Sequence, residues 1–181
     1  MGDSYQTLVD LDATEAEAGH LGARVRGWLL ARGIVQPSPE GAEKFALGPS
    51  FAQALDEPWL ASTRSAMWTD TDTLRVKQGR TVFFAVGVEL KCPACGHRFE
   101  PDDEAWGAAV NAWYEGDDAV TLPCPGCGHA QKLTEWDGPN PWAFAHLGFE
   151  LWNWPHLSKR FVREVAEQLG GHRVRLVCSK L

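Results

Sequence analysis

Residues 91–129 read KCPACGHRFEPDDEAWGAAVNAWYEGDDAVTLPCPGCGH, and the two cysteine units at the ends of this stretch decide how the chain is organised. Cys92-Pro93-Ala94-Cys95-Gly96-His97 recurs as Cys124-Pro125-Gly126-Cys127-Gly128-His129, offset by 32 positions. Two residues between the cysteines let a tight turn aim both sulfurs at one point. Proline pre-sets φ, and the following glycine can take positive φ so that backbone N–H groups turn toward the sulfurs. Two such units supply four thiolates, enough for a closed tetrahedral shell with metal–sulfur bonds of about 2.3 Å and no open position for a substrate. The 28 residues between Cys95 and Cys124 exceed the usual spacing of such pairs. A further element must therefore sit between them, and residues 103–114, with Ala105, Trp106, Ala109, Val110 and Trp113 at helical spacing, predict a helix.

The doubled C-P-x-C-G resembles a zinc ribbon of the rubredoxin-like kind over about residues 90–135. The resemblance implies that Cys92, Cys95, Cys124 and Cys127 are metal ligands. Rubredoxins hold iron in such a shell and carry electrons. Here His97 and Arg98 follow the first unit and an Ala/Trp-rich segment fills the middle, which favours structural zinc and leaves an iron electron carrier as an alternative. Two separate redox pairs are a poorer reading, because a redox C-x-x-C usually opens a helix whereas Gly-His after each pair suits a turn. His97 and His129 read as surface residues that partly screen the site, and Lys91, Arg98 and Lys132 as cations offsetting its charge. The fifth cysteine, Cys178, falls in an apolar strand pattern and reads as an inert core thiol.

Outward from the cysteine segment, each flank carries a strand-helix-strand pattern. On the N-terminal side, Tyr5, Thr7, Val9 and Leu11 alternate, and Thr14 with Glu17 forms a capping box. Ala18, Leu21, Val25, Trp28 and Leu29 then repeat at helical spacing as far as Gly33. Residues 73–76 and 81–90 predict two strands around a turn at Lys77-Gln78-Gly79-Arg80, with Val82, Phe84, Val86, Val88 and Leu90 on one face. On the C-terminal side, Ala145, Leu147, Phe149 and Leu151 alternate. Ser158 opens a helix with Phe161, Val162, Val165 and Leu169 on one face, and residues 173–178 form the last strand. Residues 34–72, punctuated by Pro37, Pro39, Gly41, Gly48, Pro49 and Pro58, read as an irregular insertion with short pieces near 50–55, packing through Phe45, Phe51, Trp59 and Trp68. The expected fold is α+β: a ferredoxin-like split β-α-β sandwich, residues 1–90 and 139–181, with the four-cysteine ribbon, 91–138, inserted in its central hairpin.

Composition narrows the function. The chain has 181 residues, a formal charge of −7, 44% hydrophobic residues, five Cys and nine Trp. That is an ordinary globular balance, which excludes a collagen, a coiled coil or a disordered tail. No apolar run approaches the roughly 20 residues of a membrane span. The start lacks the basic and apolar regions of a secretory signal, and an odd cysteine count argues for a reducing, cytoplasmic setting. The closing Ser179-Lys180-Leu181 matches a peroxisomal address but also finishes a strand pattern.

No nucleophile sits with its base and no phosphate loop is present, so a non-catalytic role is expected, although His146 and Glu150 alternate with Trp152 onto one face of a strand, with His156 following closely, where a His and a carboxylate could do acid–base work. A protein partner is the first expectation, met through the ribbon or the indoles Trp136, Trp142, Trp152 and Trp154 beside it. Residues 159–181 carry six basic side chains, among them Arg160, Arg163, Arg173 and Arg175, against two acidic ones, while the preceding 158 residues carry a net −11. A nucleic-acid-associated factor using this basic C-terminal face is therefore the alternative.

Overall fold

The computed structural model describes residues 4–38, 44–56, 73–84, 87–139 and 141–180. Its frame is a six-stranded sheet: β1 (Ser4–Asp10), β2 (Val35–Pro37), β3 (Lys44–Leu47), β4 (Thr73–Phe84), β9 (Trp142–Trp152) and β10 (Val174–Lys180). The spatial order is β10-β1-β9-β4-β3-β2, and every neighbouring pair is antiparallel. Two helices pack on the sheet, α1 (Glu15–Ala31) and α3 (Lys159–Gln168). Between β4 and β9 lie β5 (Leu90–Lys91), β6 (Arg98–Phe99), α2 (Asp103–Tyr114), β7 (Thr121–Pro123) and β8 (Ala130–Lys132). The helix expected between the cysteine units is α2, and the order strand-helix-strand, cysteine segment, strand-helix-strand is as read from the sequence.

Local chemistry explains the helix limits. The Glu17 carboxylate accepts from the Thr14 N–H at 3.1 Å and from its hydroxyl at 2.6 Å, closing the start of α1. Ser158 Oγ accepts from Phe161 N–H at 3.1 Å at the start of α3, and Asp102 does the same for α2 through Glu104 and Ala105 N–H. One face of the sheet takes α1 and α3. There Leu8, Leu74, Leu147, Phe149 and Leu151 meet Leu21, Val25 and Leu29 of α1 and Phe161 and Val165 of α3 in the main core.

The described parts of the 34–72 stretch, residues 34–38 and 44–56, are more regular than expected. β2 and β3 form a hairpin that extends the sheet beyond β4, and Phe51–Ala54 is a single turn of 3-10 helix. Phe45 is in the main core as anticipated, whereas Trp59 and Trp68 lie outside the described residues.

A second correction concerns Lys77-Gln78-Gly79-Arg80. This is no hairpin turn: β4 runs unbroken from Thr73 to Phe84, and its register with β9 shifts between Gln78 and Thr81. Gly79, at φ 89°, supplies the extra residue of a β-bulge. Beyond the bulge the β4–β9 ribbon turns across the second face of the sheet. Arg175 Nη1 donates to Trp142 O at 2.7 Å, and Tyr5 OH donates to Phe84 O at 2.9 Å. Phe83, Ala143 and Ala145 close there on Val9 and Val177 as a small separate core. So Phe83 is buried and Phe84 is 53% exposed, the reverse of the alternation read from the sequence. Gly148 makes this fold-back sterically workable, since a Cβ there would stand 2.5 Å from Phe83 Cζ.

Candidate metal centre

The outer side of the bent ribbon carries the cysteine segment. Trp142 and Phe144 of β9 pack against Trp113 of α2, with ring centroids 4.9 Å apart for Trp113–Phe144, and Trp106 meets Trp142 edge-on at 5.7 Å. Leu90, Ala109, Leu122, Leu133 and Trp136 complete this arm core, which also includes Cys92 and Cys124. Few side chains must bury much area in so small a unit, and indoles bury the most per residue. The bulge adds an electrostatic tie. Arg80, at the bend of β4, donates to Trp113 O and to Asp118, both at 2.8 Å, and its guanidinium lies 5.0 Å over the Trp113 ring. The Asp118 carboxyl is accordingly held below its ordinary range, and the Arg80 guanidinium is raised.

Each cysteine unit sits at the tip of a two-stranded hairpin, β5–β6 for the first and β7–β8 for the second. The two turns are geometrically alike. Cys92 N–H donates to His97 O and Cys124 N–H to His129 O, both at 2.8 Å; Gly96 N–H donates to Cys92 O and Gly128 N–H to Cys124 O, both at 2.9 Å. Gly96 and Gly128 both take φ 74°, the left-handed conformation that the sequence reading required of them. Gly126 N–H also donates to Cys124 Sγ at 3.4 Å.

The two hairpins bring Cys92, Cys95, Cys124 and Cys127 together, with all four Sγ atoms within 4.8 Å of one another. The pairs Cys92–Cys127 and Cys95–Cys124, each joining one unit to the other, are 3.8 Å apart. A tetrahedron with metal–sulfur bonds of about 2.3 Å has edges of about 3.8 Å. A disulfide would need about 2.05 Å. The donor set and its spacing therefore fit one metal ion shared between the units. Cys92 and Cys124 are buried on the arm core, while Cys95 and Cys127 face outward.

The sulfurs differ in proton affinity. Burial pushes the Cys92 thiol up, but N–H groups of Cys95 and Ala94 and the thiols of Cys95 and Cys124 outweigh it and bring it to about 6. At Cys95 the His97 N–H acts downward, yet the Cys127 thiol, burial and the other thiols push it up to about 12. Four adjacent thiolates repel one another strongly, so full deprotonation of the set calls for a bound cation.

The other sequence-derived candidates do not form one surface. Trp136 and Trp142 are 2% exposed and Trp154 4%, so these three indoles are core residues and cannot present a recognition patch. Trp152 is half-buried, tilted against Tyr5 with ring centroids 5.1 Å apart, and the Arg75 guanidinium lies 5.4 Å over its ring. Arg160 donates to Gln53 O and pairs with Glu164, Arg163 is exposed on α3, and Arg173 pairs with Asp12. Arg175 is turned to Trp142 O, with Asp137 at 3.9 Å. Nor do His146 and Glu150 work together: His146 rests beside Trp113, whereas Glu150 meets Lys77 and Trp152. Cys178 is half-buried on the edge strand β10, where burial raises its thiol.

Sequence reasoning missed two residues. Arg80 was hidden in an apparent turn, although a Gly inside a strand pattern also marks a bulge. Asp10, fully buried, accepts from Asp12 and Ala13 N–H at 3.0 Å and meets His172 Nδ1 at 3.0 Å, tying the start of α1 to the start of β10. No pattern of spacing links positions 10 and 172. No family model, curated protein or solved structure matches this chain. Among the described residues, no helix is long and apolar enough to cross a membrane.

Proposed function

We propose that the chain is a zinc-binding protein in which Cys92, Cys95, Cys124 and Cys127 hold one structural Zn²⁺ in a rubredoxin-like ribbon. The observation that carries this reading is the 3.8 Å separation of sulfurs across the two units, the edge of a zinc–thiolate tetrahedron. With four sulfurs the shell is closed, so the metal supplies structure rather than a reactive position. The ribbon is carried on a core of ferredoxin-like class, a reading supported by the antiparallel order β10-β1-β9-β4 with a helix following each of β1 and β9.

Elemental analysis of the purified protein tests the metal. One zinc per chain in colourless protein is expected, with Cys92→Ser losing the metal and the native environment of the arm indoles. A coloured protein containing stoichiometric iron would instead establish the electron carrier. A Cys92→Ser protein with unchanged metal content would remove the assignment.

In this reading the whole molecule is a non-catalytic interaction module, cytoplasmic in setting, that offers the stapled arm to a protein partner. Support comes from the arm's exposed carboxylates, Glu100, Asp102, Asp103 and Glu104 at the start of α2 and Glu115 and Asp117 just past its end, whose charge suits a basic protein surface. Burial of three of the four indoles removes the aromatic patch from that argument. A nucleic-acid role rests on Arg160 and Arg163, exposed on α3, and would be marked by steeply salt-dependent binding to RNA or DNA.

A further inference from the structure

The two metal-binding turns match in sequence except at one position, Ala94 in the first and Gly126 in the second. The structure gives that difference a cause. The His97 ring, which belongs to the first turn, lies across the second. A Cβ built on Gly126 would stand 3.1 Å from His97 Cγ, 3.2 Å from Cδ2 and 3.3 Å from Cβ. The last of these atoms is fixed by the backbone, so a methyl there could be accommodated only by turning the ring away from its present place.

His97 is exposed, but its backbone and its ring both have partners. Its carbonyl accepts from Cys92 N–H at 2.8 Å, which ties its backbone to the first cysteine of its own turn. Its ring stacks on Phe99 with centroids 5.9 Å apart and planes 10° from parallel. Phe99 in turn meets Trp136 edge-on at 5.5 Å, and Trp136 is buried in the arm core. The second turn has no counterpart to this stack: His129 has the matching carbonyl bond, but the residue two further on is Gln131 rather than an aromatic.

We propose that His97 is a positioning residue that clamps the second turn onto the first, and that Gly126 is glycine in order to receive its ring. The clamp holds the four sulfurs at their mutual spacing through packing alone, so it slows departure of the metal without ligating it. The imidazole nitrogens are not needed for this; a flat ring is. The inference rests on the zinc reading above, and its test separates the two.

The experiment is chelator-driven zinc release from the full-length zinc-loaded protein, followed with a coloured zinc indicator, with far-UV circular dichroism as a check on folding. His97→Ala is expected to release zinc about three- to tenfold faster than the wild type, the range an aromatic pair contact gives. Gly126→Ala, which pushes the ring aside, is expected to act in the same direction. His97→Phe, which keeps a stacked ring but no nitrogen, is expected to release at nearly the wild-type rate, and His129→Ala likewise. Equal rates for His97→Ala and wild type would overturn the clamp while leaving the metal site standing. Equal acceleration by His97→Phe and His97→Ala would also overturn it, since the nitrogen rather than the ring would then matter. A wild-type protein that purifies without zinc and does not take up one equivalent defeats the metal reading itself. Should Gly126→Ala fail to fold, the three histidine variants decide the matter alone.

Discussion

At the scale of single residues, side chains are held by contacts whose strength depends on charge or on shape, and the two kinds respond to different perturbations. Asp12 is the charge case. Arg173 donates to one carboxylate oxygen at 2.6 Å and 3.0 Å from its guanidinium, and its backbone N–H donates to the other at 2.7 Å. These hydrogen bonds hold the Asp12 carboxyl below its ordinary value of 3.8. A folded-state pKa below the unfolded one means that the stabilisation is present above about pH 4 and fades as acid protonates the group through its lowered value. The gap in urea midpoint between wild type and Asp12→Asn is therefore expected to narrow from pH 7 to pH 3. A gap of the same width at both values would show that the charge of Asp12 is not what stabilises. The pair is largely exposed, so the effect is small and salt-sensitive.

Gly148 is the shape case at this scale. Its only special property is the space it leaves for Phe83, and its neighbours in the sheet are unremarkable. Gly148→Ala is expected to lower stability by about 1–3 kcal/mol, the usual range for overpacking a close-packed site. Denaturant unfolding measures it. A Gly148→Ala/Phe83→Leu double variant is expected to regain part of the loss, because the shortened side chain vacates the position the methyl needs. No recovery in the double variant would show that the clash is not with that ring.

At the scale of elements, legibility in the sequence followed the number of faces each element buries. α1, α2 and α3 each bury one stripe, and their apolar spacing and capping residues identify them without ambiguity. The metal turns are equally plain, because cysteine spacing and positive-φ glycines leave one geometry. The long strands are different. β9 is covered on both sides along most of its length, by the helices over Leu147–Leu151 and by the arm over Trp142 and Phe144. Two-sided burial erases the alternation that period-2 reading depends on. The same holds for β4, where Phe83 and Val82 both contact cores on opposite sides. A bulge then imitates a turn, since both call on glycine within a polar interruption. The β2–β3 hairpin was illegible for another reason: three- and four-residue strands at a sheet edge carry too little pattern to stand out from prolines and glycines around them.

At the scale of the whole molecule, the described residues form two larger cores of unequal self-sufficiency joined through the β4–β9 ribbon, with a small third core at its bend. The main core unites α1 and α3 with the sheet, and nothing in it touches the cysteines. The arm core gathers Trp113, Trp136, Trp142 and Phe144 around Cys92 and Cys124, in a segment too short to stand on apolar burial alone. Removing the metal takes the cross-link between β5–β6 and β7–β8 away, and the sulfurs, taking up protons, no longer hold the two turns together. Loss of structure is therefore expected to run through the arm and stop within β9. Trp142 and Phe144 lose their packing partners, whereas Ala143 and Ala145 keep Val9 and Val177, and Leu147 onward remain against α1 and α3. Amide hydrogen exchange after zinc chelation measures this directly: protection falls across residues 90–136 and the distal end of the β4–β9 ribbon, while α1, α3 and β1 keep theirs. Indole emission shifts to the red at the same time, because Trp113, Trp136 and Trp142 become hydrated. Uniform loss of protection over the whole chain would mean that the two cores form one cooperative unit, with the bend at Gly79 and Arg80 transmitting the arm's collapse to the sheet.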